Sequence, residues 1–272
     1  MTSKRNLHVA KWLVGSALVV AGSSAMADWS FASGTTGTPS GTTITSTATA
    51  MSTTGSGSVF AAATATAWTG GLGVAATGEA TGSPEHSTDN ATNTDAILLS
   101  FSSSVVLTGI TSGWTWKDGA AVGTAAYASD SDASVLRYIG TATTAAAVTT
   151  ATLGKTVAQL TAVGGGWTLV SQIANLVTGS NASTGDTTLG SSWWLISAYN
   201  SGYASVATTT SSAANLLDNG NDYFKLLAVA GVATPSTSKV PEPGSLALVG
   251  AGLLGFLASR RKSKGKTAAL AA

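Results

Sequence analysis

The 272-residue chain contains no cysteine. A disulfide framework, thiol catalysis and thiolate metal sites are therefore all excluded. Charge is scarce as well. Asp, Glu, Lys and Arg make up 9% of the residues, against about 25% in an average globular chain. A long helix with an evenly charged outer face is not expected from that supply. Histidine is rarer still, with His8 near the start and His86 in the polar stretch GSPEHSTD. No G-x-S-x-G elbow is present to pair with a histidine. His86 reads as a solvated loop residue rather than a member of a Ser-His-Asp triad. Gly, Ala, Ser and Thr fill the chain instead. Small and β-branched residues favour extended, turn-rich structure.

The amino-terminal 27 residues form a three-part pattern. Lys4, Arg5 and Lys11 make a basic start, WLVGSALVVA at 12–21 an apolar run, and Ala25-Met26-Ala27 a small-x-small site. This is the layout of a secretory signal peptide, with signal peptidase expected to cut before Asp28. The apolar run is too short to span a bilayer core of about 30 Å. Removing residues 1–27 and everything from Pro241 onward changes the charge. Of the 13 basic residues eight lie in those ends, and of the 12 acidic residues one, which leaves five against eleven and a net charge of −6. A nucleic-acid-binding face is not expected on such a body.

The carboxyl-terminal stretch VPEPGSLALVGAGLLGFLASRRKSKGK, residues 240–266, has its own order. Pro241 and Pro243 hold Val240 and Glu242 extended and stop any helix from running upstream. The apolar run 244–259 would be about 24 Å long as a helix, near the thickness of a hydrocarbon core. Arg260 and Arg261 open a cationic cluster that stays cytoplasmic by the positive-inside rule, leaving residues 28–240 outside the inner membrane. GAGLLG at 250–255 matches a dinucleotide fingerprint in letters only. It lacks the preceding strand and βαβ unit and reads as a small-residue helix face.

Val240-Pro241-Glu242-Pro243, the short apolar helix and Arg260-Arg261 together resemble the PEP-CTERM sorting signal of Gram-negative bacteria. The resemblance implies processing by an exosortase, a multi-spanning transpeptidase-like enzyme. It also implies an inner-membrane-anchored intermediate and then a place on the cell surface or in the extracellular matrix. Exopolysaccharide and biofilm are the general setting of that family.

The body divides by composition. Residues 28–57 are Ser/Thr/Gly-rich and read as loops or weak edge strands. Residues 58–233 carry about seven β-type runs between Gly, Asn, Asp and Ser clusters: 58–68, 96–101, 105–116, 133–139, 167–176, 192–199 and 223–232. The layout predicts a mainly β domain, an antiparallel sandwich or jelly roll. An alanine-rich stretch at 120–151 could hold a helix, which would make the fold α+β. Residues 234–239 form a polar linker, and 267–272 a short tail.

Candidate sites are few. Trp114 and Trp116 lie two apart and point to one face of a strand. Trp193 and Trp194 are adjacent and point to opposite faces. An exposed indole can stack on a sugar ring, while a buried one fills a core short of bulk. Asp130 and Asp132, and separately Asp218 and Asp222, offer hard oxygen ligands of the kind calcium prefers, in sequences that turn chemistry alone also explains. Neither cluster fits an EF-hand. Paired carboxylates for a glycosidase are not evident, since the acids sit in turns. The expected protein is a non-enzymatic, exported surface or matrix protein with a structural or adhesive role and no resident cofactor, calcium excepted. A carbohydrate-binding module is the alternative, and a secreted hydrolase a distant one.

Overall fold

The computed structural model describes residues 26–54, 58–79, 84, 86–116, 130–185, 188–203, 217 and 220–234. The described strands are β1 (Met26–Ser30), β2 (Thr36–Ser40), β3 (Ser46–Thr54), β4 (Val59–Trp68), β5 (Gly71–Ala75), β6 (Thr88–Asp89), β7 (Asp95–Thr115), β8 (Ala133–Tyr138), β9 (Trp167–Ile173), β10 (Asn181–Ser183), β11 (Ser191–Ala198) and β12 (Tyr223–Ala233). Two short helices, α1 (Ala145–Thr152) and α2 (Val157–Thr161), separate β8 from β9. Every pairing between these strands is antiparallel.

The long strand β7 organises the body. Its first half lies between β3 and β11, with Ile97 opposite Ala50 and Ile196. Exposed Ser102 and Ser103 follow. Its second half then pairs with β12 and β10. A strand that changes sheets at a polar bend is one way a sandwich closes its corners. One layer runs β9-β8-β11-β7-β3-β4-β5, and the other runs β10-β7-β12-β1-β2.

Alternation decides what fills the space between the layers. Ile97, Leu99 and Phe101 point in from the first half of β7, Trp194 and Ile196 from β11, and Trp29, Phe224 and Val229 from the opposite layer. Trp29 meets Phe101 edge-on at 4.8 Å and donates its indole N–H to the Ile44 carbonyl at 2.6 Å. The opposite face of the first layer is buried too. Ala96, Leu98, Leu136 and Leu195 are covered by Val148 of α1, by Val157 and Leu160 of α2, and by Tyr203. This explains the unbroken apolar run AILL at 96–99: a strand buried on both faces has no reason to alternate. Thr156 and Gln159 form a reciprocal capping box that starts α2.

Each of the seven runs read from the sequence is a strand or part of one, two of them joined in β7. Helix α1 lies at the end of the alanine-rich stretch, as a cap on a β body. Residues 28–57 differ from expectation. They supply most of β1 and all of β2 and β3, and β3 pairs with both β4 and β7. Trp29, Phe31 and Met51 anchor this stretch in the interior, and Ala48 and Ala50 alternate inward. It is an integral part of the sandwich, so the compositional boundary at 57/58 does not divide the fold.

Candidate functional site

Two places concentrate chemistry, both near the start of β12. The first joins the two acidic turns that look separate in the sequence. Asp130, Asp132 and Asp222 bring carboxylate oxygens within 4.8 Å of one another, and all three residues are buried. Backbone geometry makes the meeting. Asp130 N–H donates to the Asn221 carbonyl at 3.1 Å, and Tyr223 N–H donates to the Asp130 carbonyl at 2.9 Å. Asn221 has a φ of 63°, a left-handed conformation that asparagine tolerates. The turn aims Asp222 inward.

Inside, Asp222 Oδ1 accepts the Asp132 N–H at 2.7 Å and Oδ2 accepts the Asn90 amide at 2.6 Å. Asn90 Oδ1 in turn accepts the Asp222 N–H at 2.8 Å, and the same Asn90 amide reaches the Tyr199 carbonyl at 2.7 Å. Asp132 Oδ1 accepts the Asn175 N–H at 2.6 Å. The cluster thus ties together five stretches of chain. Burial, a hydrogen bond with Asp130 and the charges of Asp132 and Asp130 push Asp222 up to about 11. Its carboxyl holds a proton at neutral pH. Asp95, in the next buried patch, is also raised well above the usual carboxylate range, chiefly by burial.

Calcium takes six to eight oxygens. Of the four aspartates that offer calcium-type oxygens in the sequence, three meet here and Asp218 lies outside the described residues. The hydrogen bonds of the cluster lock the β12 turn to the ends of β8 and β11.

The second place is aromatic. Trp116 is 41% exposed and stacks beside Trp114, with centroids 6.0 Å apart. Trp68, at the end of β4, is 40% exposed and joins them, because one ammonium lies between the rings. Lys225 Nζ sits 4.7 Å from the Trp114 ring centre and 5.9 Å from that of Trp68. It donates to His86 Nε2 at 2.9 Å, and burial lowers its pKa. His86 therefore is not a detached loop residue: its ring packs on Trp68 at 4.5 Å. Glycines permit the approach. A Cβ on Gly70 would stand 2.7 Å from Trp114 Cβ, and one on Gly73 would strike the His86 carbonyl.

The other tryptophan pair does different work. Trp194 is fully buried and donates to the Val105 and Ser191 carbonyls at 3.1 and 3.2 Å. Trp193, half-buried, packs edge-on against Tyr138 at 5.8 Å. Trp194 therefore serves packing and offers no free ring face, while Trp193 packs against Tyr138 on the helix-covered side.

Sequence reading overlooked Trp68 and the role of His86. The signal was present in Thr64-Ala65-Thr66-Ala67-Trp68, whose period of two puts both threonines and the tryptophan on one face.

The chain ends of the body lie together, away from these places. Met26 pairs with Val232 and Asp28 with Ala230. Thr234 is pinned to the Ser104 carbonyl by its N–H at 3.1 Å and its hydroxyl at 3.0 Å. Lys225 and Ala233 are eight residues apart on β12, about 27 Å at a strand's rise.

The fold defines a mainly β, two-layer protein. Residues 239–262 then match the PEP-CTERM protein-sorting motif. The chain thus carries an exosortase-directed sorting signal, the mark of an exported protein that passes through a membrane-anchored stage. No curated protein and no solved structure matches the chain. The motif residues Val240, Pro241, Glu242, Pro243, Arg260 and Arg261 and the apolar run 244–259 lie outside the described residues, as does Ala25. No helix among the described residues is long and apolar enough to cross a membrane.

Proposed function

We propose that this protein is a surface or extracellular-matrix protein with a structural or adhesive role and no catalytic task. The observation that carries the reading is the sorting motif at 239–262 placed directly after a two-layer β body. Signal peptidase removes residues 1–27, and an exosortase acts near Pro241. The geometry of the ends agrees with this order. The strand that spans the expected cut and the strand that leads to the motif are neighbours, with Asp28 opposite Ala230. Both chain ends then face the envelope, while the aromatic surface stands about 27 Å away along β12. A body held at one end and bearing exposed indoles at the other suits adhesion to extracellular polysaccharide. Its fold rests on packing rather than disulfides, since the chain has no cysteine.

Surface position is tested on intact cells with a membrane-impermeant amine label that reaches Lys155. Full-length chain is expected to be labelled and to stay with the cells or their matrix. A chain ending at Ser238 keeps its whole β body and is expected to pass into the medium. Protection of the full-length chain from the label, or cell-bound truncated chain, would overturn the reading.

A further inference from the structure

The two ends of the body differ in charge. The end at the start of β12 holds Asp89, Asp95, Asp130, Asp132, Asp222 and Lys225. The opposite end, from which the chain leaves toward the sorting motif, is built of turns without a charged residue: 41–45 (GTTIT), 102–104 (SSS), 139–144 (IGTATT) and 188–190 (TLG). Hydrogen bonds gather these turns. Ser102 N–H donates to the Thr45 carbonyl at 2.9 Å, and the Ser102 hydroxyl accepts the Thr45 N–H at 3.0 Å. The Ser191 hydroxyl donates to the Tyr138 carbonyl at 3.1 Å. Thr234, bonded to the Ser104 carbonyl, lies so close to Gly190 that a Cβ there would strike its methyl.

Two aliphatic side chains stand out of this surface. Ile139 is 59% exposed and Leu189 52%. Half-buried Trp193, edge-on to Tyr138, stands behind them, and Ser and Thr hydroxyls surround them. The nearest described charges stand back. Arg137 lies within β8, and the Lys155 ammonium is held by the Gly165 carbonyl at 2.9 Å. Asp28 is opposite Ala230, three residues before the end of β12.

Such an end suits a bilayer surface. Moving a charge out of water costs far more than moving a hydroxyl, and here no turn carries one. Aliphatic side chains gain by the transfer, and tryptophan and tyrosine favour the interface. The tether supplies the encounter. Ten residues separate Thr234 from Gly244, where the apolar run begins. Fully extended, they reach about 33–36 Å. A link that short gives an effective concentration of millimolar order, so contact through two side chains is sufficient.

We propose that in the membrane-anchored stage this end of the body rests on the outer surface of the bilayer, with Ile139 and Leu189 dipping into the headgroup–acyl boundary. Trp68 and Trp116, at the far end, then point away from the lipid.

The lack of cysteine allows single-cysteine probes. Full-length chain carrying an environment-sensitive fluorophore at Ile139→Cys, Leu189→Cys or Val177→Cys is reconstituted in vesicles of phosphatidylethanolamine with a minority of phosphatidylglycerol, with and without spin-labelled acyl chains. Val177 is the control. It is 58% exposed and lies at the far end, next to Leu176, whose N–H donates to the Ser131 carbonyl. Spin-labelled lipid is expected to quench the probes at 139 and 189 at least twofold more than the probe at 177. A probe at Thr43→Cys, in the same surface, should be quenched too, and adding Ile139→Asp/Leu189→Asp should bring it down to the level of 177. Near-ultraviolet circular dichroism checks that each chain is folded. Equal quenching at 139, 177 and 189 would overturn the proposal. So would probes that lipid alone does not quench but native membranes protect, a result that assigns the surface to a protein partner. The inference rests on the membrane-anchored stage, and the two fail differently. A chain that does not float with the vesicles contradicts that stage and with it the contact, whereas a floating chain with unquenched probes overturns the contact alone.

Discussion

Replacing Trp194 with alanine is expected to destabilise the protein by about 3–5 kcal/mol, the usual result of emptying a tryptophan-sized core site. Trp193→Ala is expected to cost about 1–2 kcal/mol. The residues are adjacent and chemically identical, so the difference isolates burial. Trp194 is fully buried between the layers, opposite Leu99, and both of its indole contacts are to carbonyls near the bend of β7. Its loss leaves a cavity and an unpaired carbonyl at the corner where the strand changes layers. Trp193 keeps part of its surface in solvent, and its edge-on contact with Tyr138 is worth about 0.5–1.5 kcal/mol. Urea unfolding followed by tryptophan fluorescence checks the pair. A larger loss for Trp193→Ala would contradict the assignment of the two faces.

The second large effect concerns pH. Unfolded, Asp222 titrates near 4. Folded, burial first, then the Asp130 hydrogen bond and the charges of Asp132 and Asp130, raise it to about 11. Between those values the folded chain holds a proton that the unfolded chain releases. Stability from this group is therefore fully kept below about pH 4 and falls as pH rises. The slope approaches about 1.4 kcal/mol per pH unit, or roughly 3–6 °C per unit for a domain of this size. Asp95 acts in the same direction because burial raises it too. Thermal melting in chelator is expected to show a steady decline from pH 5 to pH 9. Asp222→Asn, a neutral near-isostere, should flatten that decline. A calcium-filled cluster would do the reverse, gaining stability with pH and with millimolar calcium, because cation binding requires the carboxylates ionised. A melting temperature that rises from pH 5 to pH 9 would contradict a protonated Asp222.

How far the sequence reaches is set by the range of each interaction. Periodicity is local, so β4, β8, β11 and β12 are legible in it, and so is the opposite facing of Trp193 and Trp194. The Thr/Ser/Gly-rich strands β1 to β3 are not. Their small residues look like loop, and only pairing with the distant β7 and β12 makes them sheet. The sites show the same division. Trp114 and Trp116 share a face by spacing alone. Trp68 joins them through a hairpin held close by Gly70 and Gly113, a contact between segments more than 40 residues apart. Asp130 and Asp222 are separated by over 90 residues, and their meeting is a product of the fold. The sorting signal needs no tertiary partner, which is why its order of motif, helix and cations can be read directly.

Everything proposed about role depends on that signal being processed. The most direct measurement is the intact mass of the protein from its native cells, together with membrane fractionation, for the wild-type chain and for Pro241→Ala/Pro243→Ala. The account predicts a wild-type chain that begins at Asp28, ends near Pro241 and lies outside the inner membrane. The double variant should retain residues 244–272 and stay in that membrane. If the wild-type chain keeps residues 244–272, the stretch is a permanent anchor, and the exosortase-processed surface role is contradicted.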